Sequence, residues 1–96
     1  MLTWLISDIS EDKVRNKLVK ECKKVGMYRV QKSVFLGDIE NPDVKTIKQF
    51  ADSIIDHETD SVYIFPMCEA DFKRASYLGQ AFNKDLVCDE LKSLVL

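Results

Sequence analysis

Leu2-Thr3-Trp4-Leu5-Ile6-Ser7-Asp8-Ile9-Ser10 is the stretch on which the fold turns. Its apolar opening reads as a strand, Ser7 to Ser10 leaves it, and a charged helical pattern follows at once. Asp8 is therefore expected at the C-terminal edge of a sheet, beside the start of a helix, where α/β proteins commonly gather ligand chemistry. Two readings of Asp8 stand open. It is a metal ligand, or it is a solvent-facing turn residue that bonds nearby backbone amides.

Downstream, Ser10 is the expected N-cap of the first helix, with Glu11 and Asp12 at the positive end of its dipole and Lys23 and Lys24 at the other. Val14, Leu18, Cys22 and Val25 recur at helical spacing and give one buried stripe. Gly26 is the expected terminator, since glycine accepts the left-handed conformation that ends a helix. From Met27 to Ile39 the period changes, and Tyr28, Val30, Val34, Phe35 and Ile39 suit one bent strand or a hairpin turning near Lys32-Ser33. Gly37 marks an expected bulge.

A second helix follows with Asn41 as cap and Pro42 at its first position, and Val44, Ile47, Phe50, Ala51, Ile54 and Ile55 as its apolar face. Asp56-His57-Glu58-Thr59-Asp60 interrupts, and Ser61-Val62-Tyr63-Ile64-Phe65 is the next strand, expected to stop at Pro66. This order is the βαββαβ plan of a ferredoxin-like sandwich: an α+β fold with an antiparallel sheet and both helices on one face. Residues 1–67 form the expected core, and 68–96 a C-terminal extension packing on the core or on a partner subunit. Within the extension, Asp71 to Leu78 fits a short helix ended by Gly79, while Asp85 to Leu96 fits helix and strand alike. Ser93-Leu94-Val95-Leu96 is expected to pair with a sheet edge, in this chain or in a partner.

Ninety-six residues make one domain, with 46% apolar and 31% charged side chains. No stretch approaches the roughly 20 apolar residues of a spanning helix, and Asp8 interrupts what would be a signal sequence, so a cytoplasmic protein without membrane contact is expected. Cys22, Cys68 and Cys88 are too few and too scattered for a disulfide framework or a zinc site and read as reduced, mostly packed thiols. The net charge of −2 hides an asymmetry: residues 13–32 carry eight basic side chains against Glu21 alone, a net +7. Such a segment is a nucleic-acid-binding face or a solvated helix surface. Arg15, Lys17, Arg29 and Lys32 are its candidates for phosphate contact, joined by the hydroxyl of Ser33. Ser10 is explained by its cap, Phe35, Tyr63 and Phe65 by core or interface packing, and His57 by an exposed acidic loop.

Thr3 to Ser10, Arg29-Val30-Gln31-Lys32-Ser33-Val34-Phe35-Leu36-Gly37, and Asp60-Ser61-Val62-Tyr63-Ile64-Phe65-Pro66 together resemble the small CRISPR-associated adaptation nucleases, the compact partners of the integrase that inserts new spacers into CRISPR arrays. The resemblance runs through about the first seventy residues. It implies a ferredoxin-like homodimer in which Asp8 is both catalytic and a ligand of Mg²⁺ at the dimer interface. It implies a metal-dependent endonuclease acting on single-stranded RNA or double-stranded DNA, and a dimer that bridges two integrase dimers while holding protospacer DNA. The chain departs from the family pattern at Ser7, where many members have Tyr, and at Leu36, where many have Glu. Two other functions compete: a non-catalytic DNA-binding bridge of the integrase complex, and a small regulatory domain binding a metabolite between subunits.

Overall fold

The computed structural model describes residues 1–79. Strand β1 (Leu2–Asp8) leads into helix α1 (Asp12–Lys24), a hairpin of β2 (Tyr28–Gln31) and β3 (Val34–Asp38), helix α2 (Asn41–Ile54), strand β4 (Ser61–Met67) and the short helix α3 (Glu69–Arg74). The strands form one antiparallel sheet in the order β2-β3-β1-β4. This is the ferredoxin-like βαββαβ sandwich that the apolar pattern implies.

Period-2 alternation gives each strand two faces. Leu5 of β1 and Phe35 of β3 share the inner face and pack with Leu18, Val19 and Cys22 of α1 and Ile47 and Ala51 of α2 in the main core. Leu2 and Trp4 of β1 and Leu36 of β3 occupy the outer face, in a second cluster closed by Phe72 of α3. There the Trp4 ring lies 6.3 Å from Phe72, 6.1 Å from Tyr77 and 6.4 Å from Phe65, and its indole N–H donates to Met67 Sδ at 3.3 Å. Leu36, the departure from the family's Glu, is fully enclosed in this cluster, so it contributes packing where a carboxylate would need a partner.

Gly26 ends α1 as expected, with φ of +97°. The Met27 amide reaches the Cys22 carbonyl at 3.0 Å and the Gly26 amide the Lys23 carbonyl at 3.1 Å, a Schellman motif with Met27 and Cys22 both in the core. Other punctuation falls differently. Neither Ser10 nor Asn41 is a cap: Glu11 precedes α1 and Glu40 precedes α2, each through backbone alone, and Pro42 is the second residue of its helix. Ser10 is taken by a tertiary acceptor described below. β4 runs through Pro66 to Met67 because it pairs only with β1, and an edge strand tolerates a missing N–H.

The bulge lies in β2 between Arg29 and Gln31, away from Gly37. Gly37 serves close approach instead, since a Cβ there would meet Met27 Cα at 3.0 Å and the Gly26 carbonyl oxygen at 3.2 Å. Backbone cannot step aside as a side-chain tip can. Gly37→Ala is accordingly expected to destabilise by about 1–3 kcal/mol, read as a lowered urea midpoint with an unchanged m-value.

The short helix spans Glu69–Arg74, shorter and earlier than the apolar spacing of Phe72, Ala75 and Leu78 implies. Leu78 is exposed beyond it. Cys68 is likewise exposed, with its sulfur accepting the Asp71 amide at 3.4 Å at the start of α3, so only Cys22 of the described thiols is packed. Burial, then the charge of Glu21, pushes the Cys22 thiol up to about 12, and it stays inert. Cys88, the helix or strand over Asp85 to Leu96, and the terminal tetrapeptide lie outside the described residues.

Candidate functional site

Asp8 closes β1 opposite Ser61, the first residue of β4. Alternation puts it on the outer face with Leu2, Trp4 and Ile6. Its side chain is exposed and, among the described residues, has no hydrogen bond or ion pair. Ile9 then enters the main core at 4% exposure, and Ser10 turns toward the loop before β4.

That loop holds a residue whose importance the sequence conceals. Asp60 is 8% exposed. Its Oδ1 accepts the Ser10 amide at 3.0 Å, the Ser10 hydroxyl at 3.1 Å and the Thr59 hydroxyl at 3.2 Å, while Oδ2 accepts the Asp56 amide at 3.0 Å. The Asp56 amide first, and the Ser10 amide next, hold the Asp60 carboxyl below its ordinary range against the opposing pull of burial. A lowered carboxyl adds stability in full above its unfolded value of about 3.9, and that stability is lost as pH falls through the folded value. Stability between pH 6 and 2 should therefore fall less steeply in Asp60→Asn than in the wild type, as measured by urea titration at each pH.

Arg15 is also turned inward. Its guanidinium donates to the Ile9 carbonyl at 2.8 Å and pairs with Asp12, leaving 20% of the side chain exposed. It grips the β1–α1 turn. Arg29 folds over the hairpin, donating twice to the Lys32 carbonyl at 3.0 and 2.7 Å with its guanidinium 5.9 Å from the Phe35 ring centre. Ser33 is half-buried, and its carbonyl accepts the Ser7 amide at 2.9 Å and the Ser7 hydroxyl at 3.4 Å. Lys17 and Lys32 are exposed and, among the described residues, carry no ion pair. Lys17 shares one helical stripe with Lys13, Lys20 and Lys24, all likewise exposed.

Because Ile6 pairs with Val34 and Asp8 with Ser61, the Lys32-Ser33 turn and the start of β4 come to the same end of the sheet as Asp8. Lys17 lies on α1, which begins four residues after Asp8. Sequence reasoning missed two features here. Asp60 opens the third quoted motif, but it also ends an acidic run, and nothing in the sequence assigns it the tie to Ser10. The outer face toward the Asp8 end is also left largely open by the described residues: Ile6 and Phe65 are each 36% exposed, Tyr28 36% and Tyr63 61%. The signal for it was present, because Val62, Tyr63, Ile64 and Phe65 are apolar on both faces of β4, one more face than the helices can cover.

His57 is exposed beside Asp52, with Nε2 3.3 Å from its carboxylate, as an acidic surface loop implies. Among the described residues no group of three His, Cys, Asp or Glu side chains is placed to hold a metal ion. No described helix is long and apolar enough to cross a membrane.

The family described as CRISPR associated protein Cas2 matches residues 1–75. A CRISPR-associated endoribonuclease Cas2 of Desulforudis audaxviator is 37% identical over 73 residues, covering 76% of this chain and 69% of that one. One from Korarchaeum cryptofilum is 28% identical over 76 residues, covering 79% and 82%. Among solved structures, Streptococcus pyogenes Cas2 superposes with a TM-score of 0.71 at 27% identity, covering 82% of this chain and all of that one. Three lines converge, and the chain belongs to the CRISPR-associated Cas2 family.

Proposed function

We propose that this protein is a metal-dependent endonuclease of CRISPR spacer acquisition. It acts as a homodimer in which the Asp8 carboxylates of two copies face a shared Mg²⁺ ion. The observation that carries the reading is Asp8 itself: an exposed carboxylate without a partner among the described residues, on a sheet face that those residues cover only toward its Leu2 and Trp4 end. Folding gives such a side chain nothing to do. Two-fold pairing of the faces bearing Ile6, Tyr63 and Phe65 would remove exposed apolar area and supply a second carboxylate. Mg²⁺ is commonly held by one or two carboxylates with water and substrate phosphate, and this donor set fits it. When bound, the ion lowers the pKa of its water and offsets charge on the phosphate under attack.

The chain's own residues bind and orient. Lys17 and Lys32 meet phosphate oxygens of double-stranded DNA or single-stranded RNA, and the Ser33 hydroxyl stands at the same sheet end as Asp8. Arg15 and Arg29 act one step back, the first shaping the turn that presents Asp8 and the second the hairpin that presents Lys32. The relatives bearing the name endoribonuclease support hydrolysis of phosphodiester bonds. In this reading residues 68–96 are an extension that meets a partner subunit or the integrase, and the dimer bridges two integrase dimers while holding protospacer DNA.

A second reading rests on the lysine stripe of α1, which needs no chemistry. The protein would then be a DNA-binding bridge without catalysis. Comparing wild type with Asp8→Asn separates the two. Mg²⁺-dependent cleavage of RNA and duplex DNA lost in the variant, with salt-sensitive duplex binding retained, supports the nuclease. Equal trace cleavage by both leaves the bridge.

A further inference from the structure

We infer that Asp60 is a positioning residue for the Asp8 carboxylate, holding the β1–α1 turn fixed against the start of β4. The inference rests on the nuclease reading, in which Asp8 is the residue that must stay in place. Asp60 is the only buried charged side chain among the described residues. Among the described residues it makes no ion pair, and its donors are two backbone amides and two hydroxyls, all neutral. Neither Ser nor Asn could accept the Ser10 and Asp56 amides on two separate oxygens as this carboxylate does. What the carboxylate adds is a second acceptor oxygen, so that one side chain ties Ser10 and Thr59 on Oδ1 and Asp56 on Oδ2 and stiffens the turn.

The connectivity says what is stiffened. Asp8 stands opposite Ser61 in the ladder, one residue after Asp60. Ser10, two residues after Asp8, is held by Asp60 through both its amide and its hydroxyl. Ile9, between them, is anchored by the core and by the Arg15 guanidinium on its carbonyl. The backbone carrying Asp8 is thus fixed before, across and after the residue, while its own side chain is left free. Such support is what a charged ligand position needs, because a displacement of about 1 Å at a reacting centre costs on the order of 100-fold in rate.

The test compares wild type, Asp60→Asn, Ser10→Ala and Asp8→Asn as full-length proteins. It reads kcat and KM for Mg²⁺-dependent cleavage, Mn²⁺ affinity by electron paramagnetic resonance, and hydrogen exchange of the Ser10 and Glu11 amides. Asn at position 60 can still accept from Ser10, but it turns a donor toward the Asp56 amide. Asp60→Asn is expected to lower kcat or Mn²⁺ affinity by about 10–100-fold with KM for nucleic acid unchanged, and to speed exchange at Ser10. Ser10→Ala, which keeps the amide bond and loses the hydroxyl, should lower kcat by about threefold at unchanged KM, in line with losing one of several such bonds. It also serves if Asp60→Asn does not fold.

Wild-type kcat and Mn²⁺ affinity in a folded Asp60→Asn, where Asp8→Asn abolishes both, overturn the positioning role alone. A raised KM in Ser10→Ala at unchanged kcat overturns it too, since that is the mark of a lost phosphate contact. Cleavage and Mn²⁺ affinity unaffected by Asp8→Asn overturn the nuclease reading, and the positioning role with it.

Discussion

Asp8→Asn is expected to lower Mg²⁺-dependent cleavage by about 100-fold or more without loosening the fold, the scale on which removing one group that stabilises developing charge acts. The side chain is exposed at a strand end and makes no hydrogen bond among the described residues, so its exchange for an isosteric amide should change stability by less than about 0.5 kcal/mol. The amide keeps the shape and removes the charge that attracts a cation. Titrating the Asp8→Asn variant into wild type, with time for subunits to exchange, sharpens the result. If the two carboxylates act as a pair, activity falls faster than the fraction of variant subunits rises. A strictly proportional fall shows that each Asp8 acts alone, and an unchanged rate sinks the nuclease.

The largest effect on stability is expected from Phe35→Ala. Phe35 is 1% exposed in β3, pairs across to Leu5, and carries the Arg29 guanidinium 5.9 Å from its ring centre. Truncation removes a buried ring from the main core and leaves a cavity that the strand, held between β1 and β2, can close only in part. The cost should be about 3–5 kcal/mol, a large share of the roughly 5–15 kcal/mol that holds a domain of this size together. The thermal midpoint should drop by more than about 10 °C. A drop of less than a few degrees, with duplex binding lost, would mean that the ring stacks on bases and is not a core residue.

Patterning carried most of the fold into view. Leu5 with Phe35 on one face and Leu18 with Ile47 on the helices are spaced as their elements require, and Gly26 ends α1 where a left-handed residue is needed. Local composition fails where tertiary partners decide. Ser10, Glu11 and Asp12 are all cap-capable, and only the distant Asp60 takes Ser10 away from that role. Pro66 reads as a stop because nothing in the chain near it says that β4 lies at an edge. Asp8 was legible as a candidate because a polar residue ends an apolar run. Arg15 and Arg29 count as surface charge in any composition window. Only the fold shows that each guanidinium also donates to a backbone carbonyl, that of Ile9 in one case and of Lys32 in the other.

The division of the outer sheet face has one more consequence. Among the described residues, helix α3 lies over the end of the sheet that carries Leu2 and Trp4 and does not reach the Asp8 end. In the proposed dimer, a second copy approaching that face would meet α3 as a doorstop. Sliding toward the Trp4 end would be blocked, which favours placements centred near Ile6 and Tyr63. The helix would then work as an alignment gauge, selecting among face-to-face arrangements those that bring two Asp8 side chains close to one axis.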